Sequence, residues 1–160
     1  NATRVMSLRD GNIKMSKSDI SEYSRINIMD DTDTIINKIK KAKTDSELIM
    51  GREALNEEGI LNLEVTRSRP EACNLIQIFS ALNDEDIEKV LEEFEGKSFS
   101  LLKEKLSEVV INKVFPIGRE VKKMLQEPMY INNILDNGAV LAEEEAKKNL
   151  KDLKSIVGLI

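Results

Sequence analysis

Ile87, Val90, Leu91 and Phe94 recur at intervals of three and four residues, a spacing that puts four large apolar side chains on one side of a helix and leaves Glu88, Lys89, Glu92 and Glu93 on the other. The same period governs most of the chain. Ile35, Ile36, Ile39 and Ala42 follow the capping-rich Asp30–Asp33 run, and Ala72, Leu75, Ile76, Phe79 and Leu82 follow a proline entry at Arg69-Pro70-Glu71. Phe99, Leu102, Leu106 and Val109 or Val110 follow Ser98. A chain patterned this way has to bury helix stripes against one another, so the expected class is all-α, a helical bundle.

Boundaries follow from the residues that helices do not tolerate. Asn83 is expected to cap the 87–94 helix, and Gly96 to end it in the left-handed conformation. Pro116 should break the next helix, after which Ile117, Val121, Met124 and Leu125 resume the stripe. Pro128 opens a short helix carrying Tyr130, Ile131, Ile134 and Leu135, closed by Asn137-Gly138. A last helix is expected from Ala139 to Val157, with Ala142, Ala146, Leu150, Leu153 and Val157 facing inward. Thr44 to Arg69 holds no period for long and reads as a loop with short helical turns.

The first eighteen residues are different. Arg4-Val5-Met6-Ser7-Leu8 reads as a short strand, Arg9-Asp10-Gly11-Asn12 as a turn, and Lys14-Met15-Ser16-Lys17-Ser18 as a compact cationic loop. No later stretch offers the strand a partner, and its backbone groups need one. With no initiator methionine at position 1, the expectation is a piece of a longer protein, divided at residues 1–18 and 19–160.

Charge and composition narrow the chemistry. The net charge of −5 leaves any phosphate contact to local clusters of Lys and Arg. There is no histidine and one cysteine, Cys73, so no zinc set, no imidazole base and no internal disulfide can form. Cys73 lies among Ala72, Leu75 and Ile76 and reads as a packing thiol in a reducing compartment. No stretch approaches the ~20 apolar residues of a membrane span. Lys38, Lys40, Lys41 and Lys43 at the end of the first helix are either a solvated end that complements the helix dipole or a phosphate-facing set. Two lysines three apart in a loop with two serines suit a polyphosphate, each acting as a mobile point charge; a solvated basic turn is the alternative.

Lys14-Met15-Ser16-Lys17-Ser18 is letter for letter the KMSKS signature of class I aminoacyl-tRNA synthetases, and from Thr3 onward the chain resembles the tryptophanyl branch of that family. Further stretches that resemble it are Arg4–Leu8, Lys38–Asp45, Arg69-Pro70-Glu71, Asn74-Leu75, Ser80-Ala81-Leu82, Phe94–Lys97, Pro116-Ile117 and the ending from Gly138 to Leu159. The resemblance implies a parent enzyme that joins tryptophan to ATP, releases pyrophosphate and passes the tryptophanyl group to tRNA(Trp), with Mg²⁺. Lys14 and Lys17 would be the catalytic pair, stabilising the departing pyrophosphate. Val5, Met15, Ser16 and Ser18 would join them in the ATP site, with Val5 lining it, Met15 near the adenine and the serines donating hydrogen bonds. The short strand and loop would be the end of a Rossmann catalytic domain, and the rest the anticodon-binding helices.

No HIGH-type signature or alternating β/α pattern occurs here, so the chain alone is not expected to be active. The family further implies a homodimer in the cytoplasm or an organelle matrix. No residue is assigned to tRNA, although Arg119, Lys122, Lys123 and the Lys147, Lys148, Lys151, Lys154 series are basic enough to serve. The tyrosyl branch and a non-catalytic helical adaptor are the competing readings.

Overall fold

Asp31 starts the first helix by accepting a hydrogen bond from the Thr34 amide at 2.8 Å, and the computed structural model, which describes residues 4–159, builds from there almost wholly in helices. They are α1 (Thr32–Lys40), α2 (Leu63–Ser68), α3 (Pro70–Asn83), α4 (Ile87–Phe94), α5 (Phe99–Lys113), α6 (Phe115–Leu125) and α7 (Pro128–Ile156). The chain divides into two compact units, one running to Gly118 and one from Arg119.

The core lies in the first unit. Ile35 and Ile39 of α1, Leu75, Ile76 and Phe79 of α3, Val90, Leu91 and Phe94 of α4, and Leu102, Leu106 and Val110 of α5 are all buried. These are the residues that the helical period marks. α5 packs against both α1 and α3, and α3 against α2 and α4. Phe79 and Phe94 meet edge to face with centroids 5.2 Å apart, an arrangement that adds to the gain from burial. Thr44 to Arg69 holds a 3-10 turn at Arg52–Ala54, one bridge between Leu55 and Leu61, and α2. Arg69 then closes the segment through a bidentate pair to Asp45 (2.9 and 2.7 Å) and a bond to the Leu48 carbonyl.

Several boundaries differ from the sequence expectation. Asn83 is the last residue of α3 rather than a cap; Asp84 takes the left-handed turn (φ 56°) and Asp86 sits at the N-cap of α4. Gly96 does adopt the left-handed conformation, φ 69°, and its amide bonds the Ile49 carbonyl. α5 stops at Lys113 and α6 restarts with Pro116 as its second residue, where a missing N–H is harmless.

The second unit departs most. α7 runs unbroken through Asn137-Gly138 for 29 residues, because one helical glycine costs only about 1 kcal/mol and a run of good helix formers from Ala139 onward follows it. Its stripe buries nothing: Leu150, Leu153 and Val157 are exposed, as are Ala142 and Ala146. Ile117, Met124 and Leu125 of α6 are exposed as well. No helix among the described residues is long and apolar enough to cross a membrane.

The stretch 4–8 is extended but pairs at a single point, an antiparallel bridge between Met6 and Lys14. Its other partners are unlike strands. The Ser7 amide bonds the Ile13 carbonyl, the Leu8 amide bonds the Ser24 carbonyl, and the Lys43 amide bonds the Leu8 carbonyl. The buried Asn74 side chain on α3 meets both backbone groups of Met6: its Oδ1 accepts from the Met6 amide (2.9 Å) and its Nδ2 donates to the Met6 carbonyl (2.9 Å). One side-chain amide thus stands where a neighbouring strand would.

Candidate functional site: a basic groove at the Lys14–Ser18 loop

The bridge that holds Met6 to Lys14 also fixes how the loop leaves the scaffold. The Met15 amide donates to the Val5 carbonyl at 3.1 Å, and the Met15 side chain packs on the hydrophobic core. Beyond it the loop has only local bonds. Ser16 and Ser18 hydroxyls lie 3.0 Å apart, and the Ser18 amide donates to Ser16 Oγ at 3.3 Å. Lys14 and Lys17 are exposed and form no ion pair among the described residues. The serines fold the loop on itself and leave its ammonium groups free to move.

Val5, Lys14, Met15, Ser16 and Lys17 line one open groove of about 710 Å³ with Arg4, Arg25, Ile26, Asn27 and Ile28. Ser18 is not among the lining residues but follows Lys17 and hydrogen-bonds Ser16. Of the four cations in the lining, Arg25 is paired to Glu22, and the exposed Arg4, Lys14 and Lys17 form no ion pair among the described residues, so the local potential is positive although the chain as a whole is acidic. Lysines on long stems and arginine forks are the donors that phosphate oxygens select. A polyphosphate fits this lining. Among the described residues no group of three acidic or cysteine side chains is placed to hold a metal.

Sequence reasoning left Arg25 and Asn27 unnoticed and quoted Arg4 only as part of a matching stretch. Arg25-Ile26-Asn27-Ile28 does alternate polar and apolar residues, the mark of an extended segment, and that segment returns the chain beside the loop. Arg25 is buried and spends its guanidinium on the Asp19 and Ser21 carbonyls, Asn27 and Glu22.

The lysines at the end of α1 are mostly claimed by structure. Lys38 is buried and paired to Asp30 at 2.6 Å. Lys41 lies 4.5 Å from the Tyr23 ring centre and bonds its hydroxyl, which pulls the phenol below its ordinary pKa. Lys43 pairs with Glu71 at 2.6 Å. Lys38 thus departs from a solvated end, while Lys41 and Lys43 stay exposed and carry local partners. Cys73 is the packing thiol expected, and burial pushes its pKa up to about 11.

The structure thus brings a cation-lined loop, pinned at its base by the Met6–Lys14 bridge, onto a helical scaffold. The family described as tRNA synthetases class I (W and Y) matches residues 2–115, and the chain belongs to that family. It is 44% identical to the tryptophan–tRNA ligase of Agrobacterium fabrum over 159 residues, 99% of this chain and 42% of that protein. The tryptophan–tRNA ligase of Rhizobium meliloti is 43% identical over the same span. Among solved structures, tryptophanyl-tRNA synthetase of Campylobacter jejuni complexed with ADP and tryptophan shares the fold, with a TM-score of 0.65 and 22% identity over 98% of this chain and 44% of that one. The chain therefore spans well under half the length of the relatives it matches.

Proposed function

We propose that this chain is the C-terminal part of a tryptophan–tRNA ligase, with residues 1–18 closing the catalytic domain and residues 19–160 forming the anticodon-binding helices. The observation that carries the reading is the groove at the KMSKS loop, lined by the exposed cations Arg4, Lys14 and Lys17 and by no carboxylate, in a chain whose relatives are tryptophan–tRNA ligases. In the parent enzyme the tryptophan carboxylate attacks the α-phosphorus of ATP, the bond to the pyrophosphate oxygen breaks, and tryptophanyl-adenylate forms. The carboxylate is already a nucleophile, so activation asks no general base of this chain, which has no histidine.

Charge builds on the leaving pyrophosphate as the bond breaks. Lys14 and Lys17, unpaired and on flexible stems, follow that charge and bind it more strongly in the transition state than in the ground state. Val5 and the backbone at Met15 form the apolar flank against the nucleoside, and Ser16 and Ser18 keep the loop compact and add hydroxyl donors. Mg²⁺ would come bound to the phosphates and neutralise part of their charge. The tryptophanyl group then passes to the end of tRNA(Trp). The parent acts as a homodimer in the cytoplasm or an organelle matrix.

The test is Lys17→Ala in a full-length ligase carrying this segment. The loss of one charge-stabilising donor corresponds to a fall of roughly 10²-fold in kcat for pyrophosphate exchange, with tryptophan affinity unchanged. An undiminished exchange rate refutes the role. Exchange that depends on tyrosine instead of tryptophan moves the chain to the tyrosyl branch.

A further inference from the structure

We infer that Arg25 is a positioning residue for the KMSKS loop, setting the backbone where the loop rejoins the scaffold; this rests on the function proposed above. One foot of the loop is held by the Met6–Lys14 bridge and the Met15 amide. The other, just past Ser18, runs through Asp19 and Ile20 into a short 3-10 turn at Glu22–Ser24. There Arg25 donates through Nη1 to the Asp19 carbonyl at 2.9 Å and to the Ser21 carbonyl at 3.3 Å. Its Nε donates to Asn27 Oδ1 at 3.2 Å, and Nη2 pairs with Glu22. Each guanidinium nitrogen is engaged and the residue is 9% exposed, so it is committed to the protein and does not serve as a spare ligand for an anion.

The anchor is itself anchored. The Asn27 amide donates to Asp30 Oδ2 at 2.9 Å, and the same oxygen receives the buried Lys38 ammonium at 2.6 Å. A polar chain thus runs from the loop exit through Arg25, Asn27 and Asp30 to Lys38 in the last turn of α1. Only a planar fork can reach two carbonyls, an amide oxygen and a carboxylate at once; an ammonium is a point donor. Displacing the exit by about 1 Å would move Lys17 off the developing charge while leaving the tryptophan pocket, elsewhere in the parent, intact.

Such a misplacement costs up to about 10²-fold in rate. In a full-length ligase carrying this segment, Arg25→Ala should lower kcat for pyrophosphate exchange by roughly tenfold to a hundredfold with KM for tryptophan unchanged. Millimolar guanidinium should restore much of the loss. Arg25→Lys, which keeps the charge and most of the stem, should remain slow. Wild-type kcat in Arg25→Lys, or a loss in Arg25→Ala that guanidinium does not rescue and that extends to tryptophan affinity, overturns the inference. A wild-type enzyme with no amino-acid-dependent exchange would instead defeat the functional reading, and hydrogen exchange then decides about Arg25. The amides of Ser18 to Ser21 should exchange faster in Arg25→Lys, and unchanged protection there rejects the role.

Discussion

Replacing Asn74 by alanine removes the one side chain among the described residues that bonds both backbone groups of Met6. The cost can be worked from the geometry. Two bonds of 2.9 Å are lost, each worth about 1 kcal/mol net, and each orphaned group adds a desolvation penalty of about 1–3 kcal/mol if water cannot reach it. Met6 is half-buried, so water relieves part of that penalty, and the expected loss is about 2–4 kcal/mol. For a unit of this size that is a drop of roughly 10 °C in Tm. Circular dichroism gives the Tm, and hydrogen exchange at the Met6 and Met15 amides shows whether the base of the loop has loosened. Asn74→Asp sharpens the test. It keeps the acceptor for the Met6 amide but sets a carboxylate oxygen against the Met6 carbonyl, which raises the folded pKa of the new carboxyl. A raised folded pKa means that its stabilising contribution is present at acid pH, where the proton donates to the carbonyl, and is lost as pH rises through the folded value. Asn74→Asp should therefore gain on Asn74→Ala as pH falls. An Asn74→Ala variant with wild-type Tm and protection would show that Asn74 does not hold this segment.

Two further outcomes test other parts of the fold. Gly138→Ala should stabilise α7 by about 0.5–1 kcal/mol and raise the helical signal, since nothing lies within 4 Å of the added methyl; a fall in helicity would mean that the helix ends at Asn137-Gly138 after all. The protein should also lose stability in acid. The Arg69 hydrogen bonds hold the Asp45 carboxyl below its usual range; burial pushes Glu71 up, but its bond from Lys43 and its backbone donors outweigh that and leave it lowered. A lowered folded pKa contributes stability above the unfolded carboxylate range of about 3.9–4.3 and loses it as pH falls through the folded value. Asp45→Asn with Glu71→Gln should be less stable at neutral pH and show a flatter acid limb; an unchanged limb in denaturant titrations places the acid sensitivity elsewhere.

How far the fold was legible follows from what each feature depends on. The stripes of α1, α3, α4 and α5 were readable because each buries one face in a shared core, so period and burial report the same thing. Asn137-Gly138 was misread because the pair signals a stop only when the left-handed conformation is required; inside a run of good helix formers the same residues cost too little to end a helix. The expected inward face of α7 failed for a related reason. A stripe shows that a face is apolar and not what covers it, and in this chain it is exposed. The missing partner of the 4–8 stretch could not be foreseen either, because a strand-finding rule looks for another strand, and the partner is a side-chain amide 68 residues away.

The candidate site divides in the same way. Its exposed members, Lys14 and Lys17, were visible because the pentapeptide matches the KMSKS signature of the family; from spacing alone a solvated basic turn was also open. Its fixed members, Asn74 and Arg25, were not, because a buried hydrogen-bonding side chain is defined by what folds around it. Yet the two sets need each other. A lysine that must follow charge from ground state to transition state has to be soft along its stem, and softness helps only if the stem starts from a fixed place. In this chain the freedom lies in the exposed ammonium groups and the constraint in one amide at the entry and one guanidinium at the exit. Removing either anchor should therefore slow activation without touching a single atom that meets the phosphates.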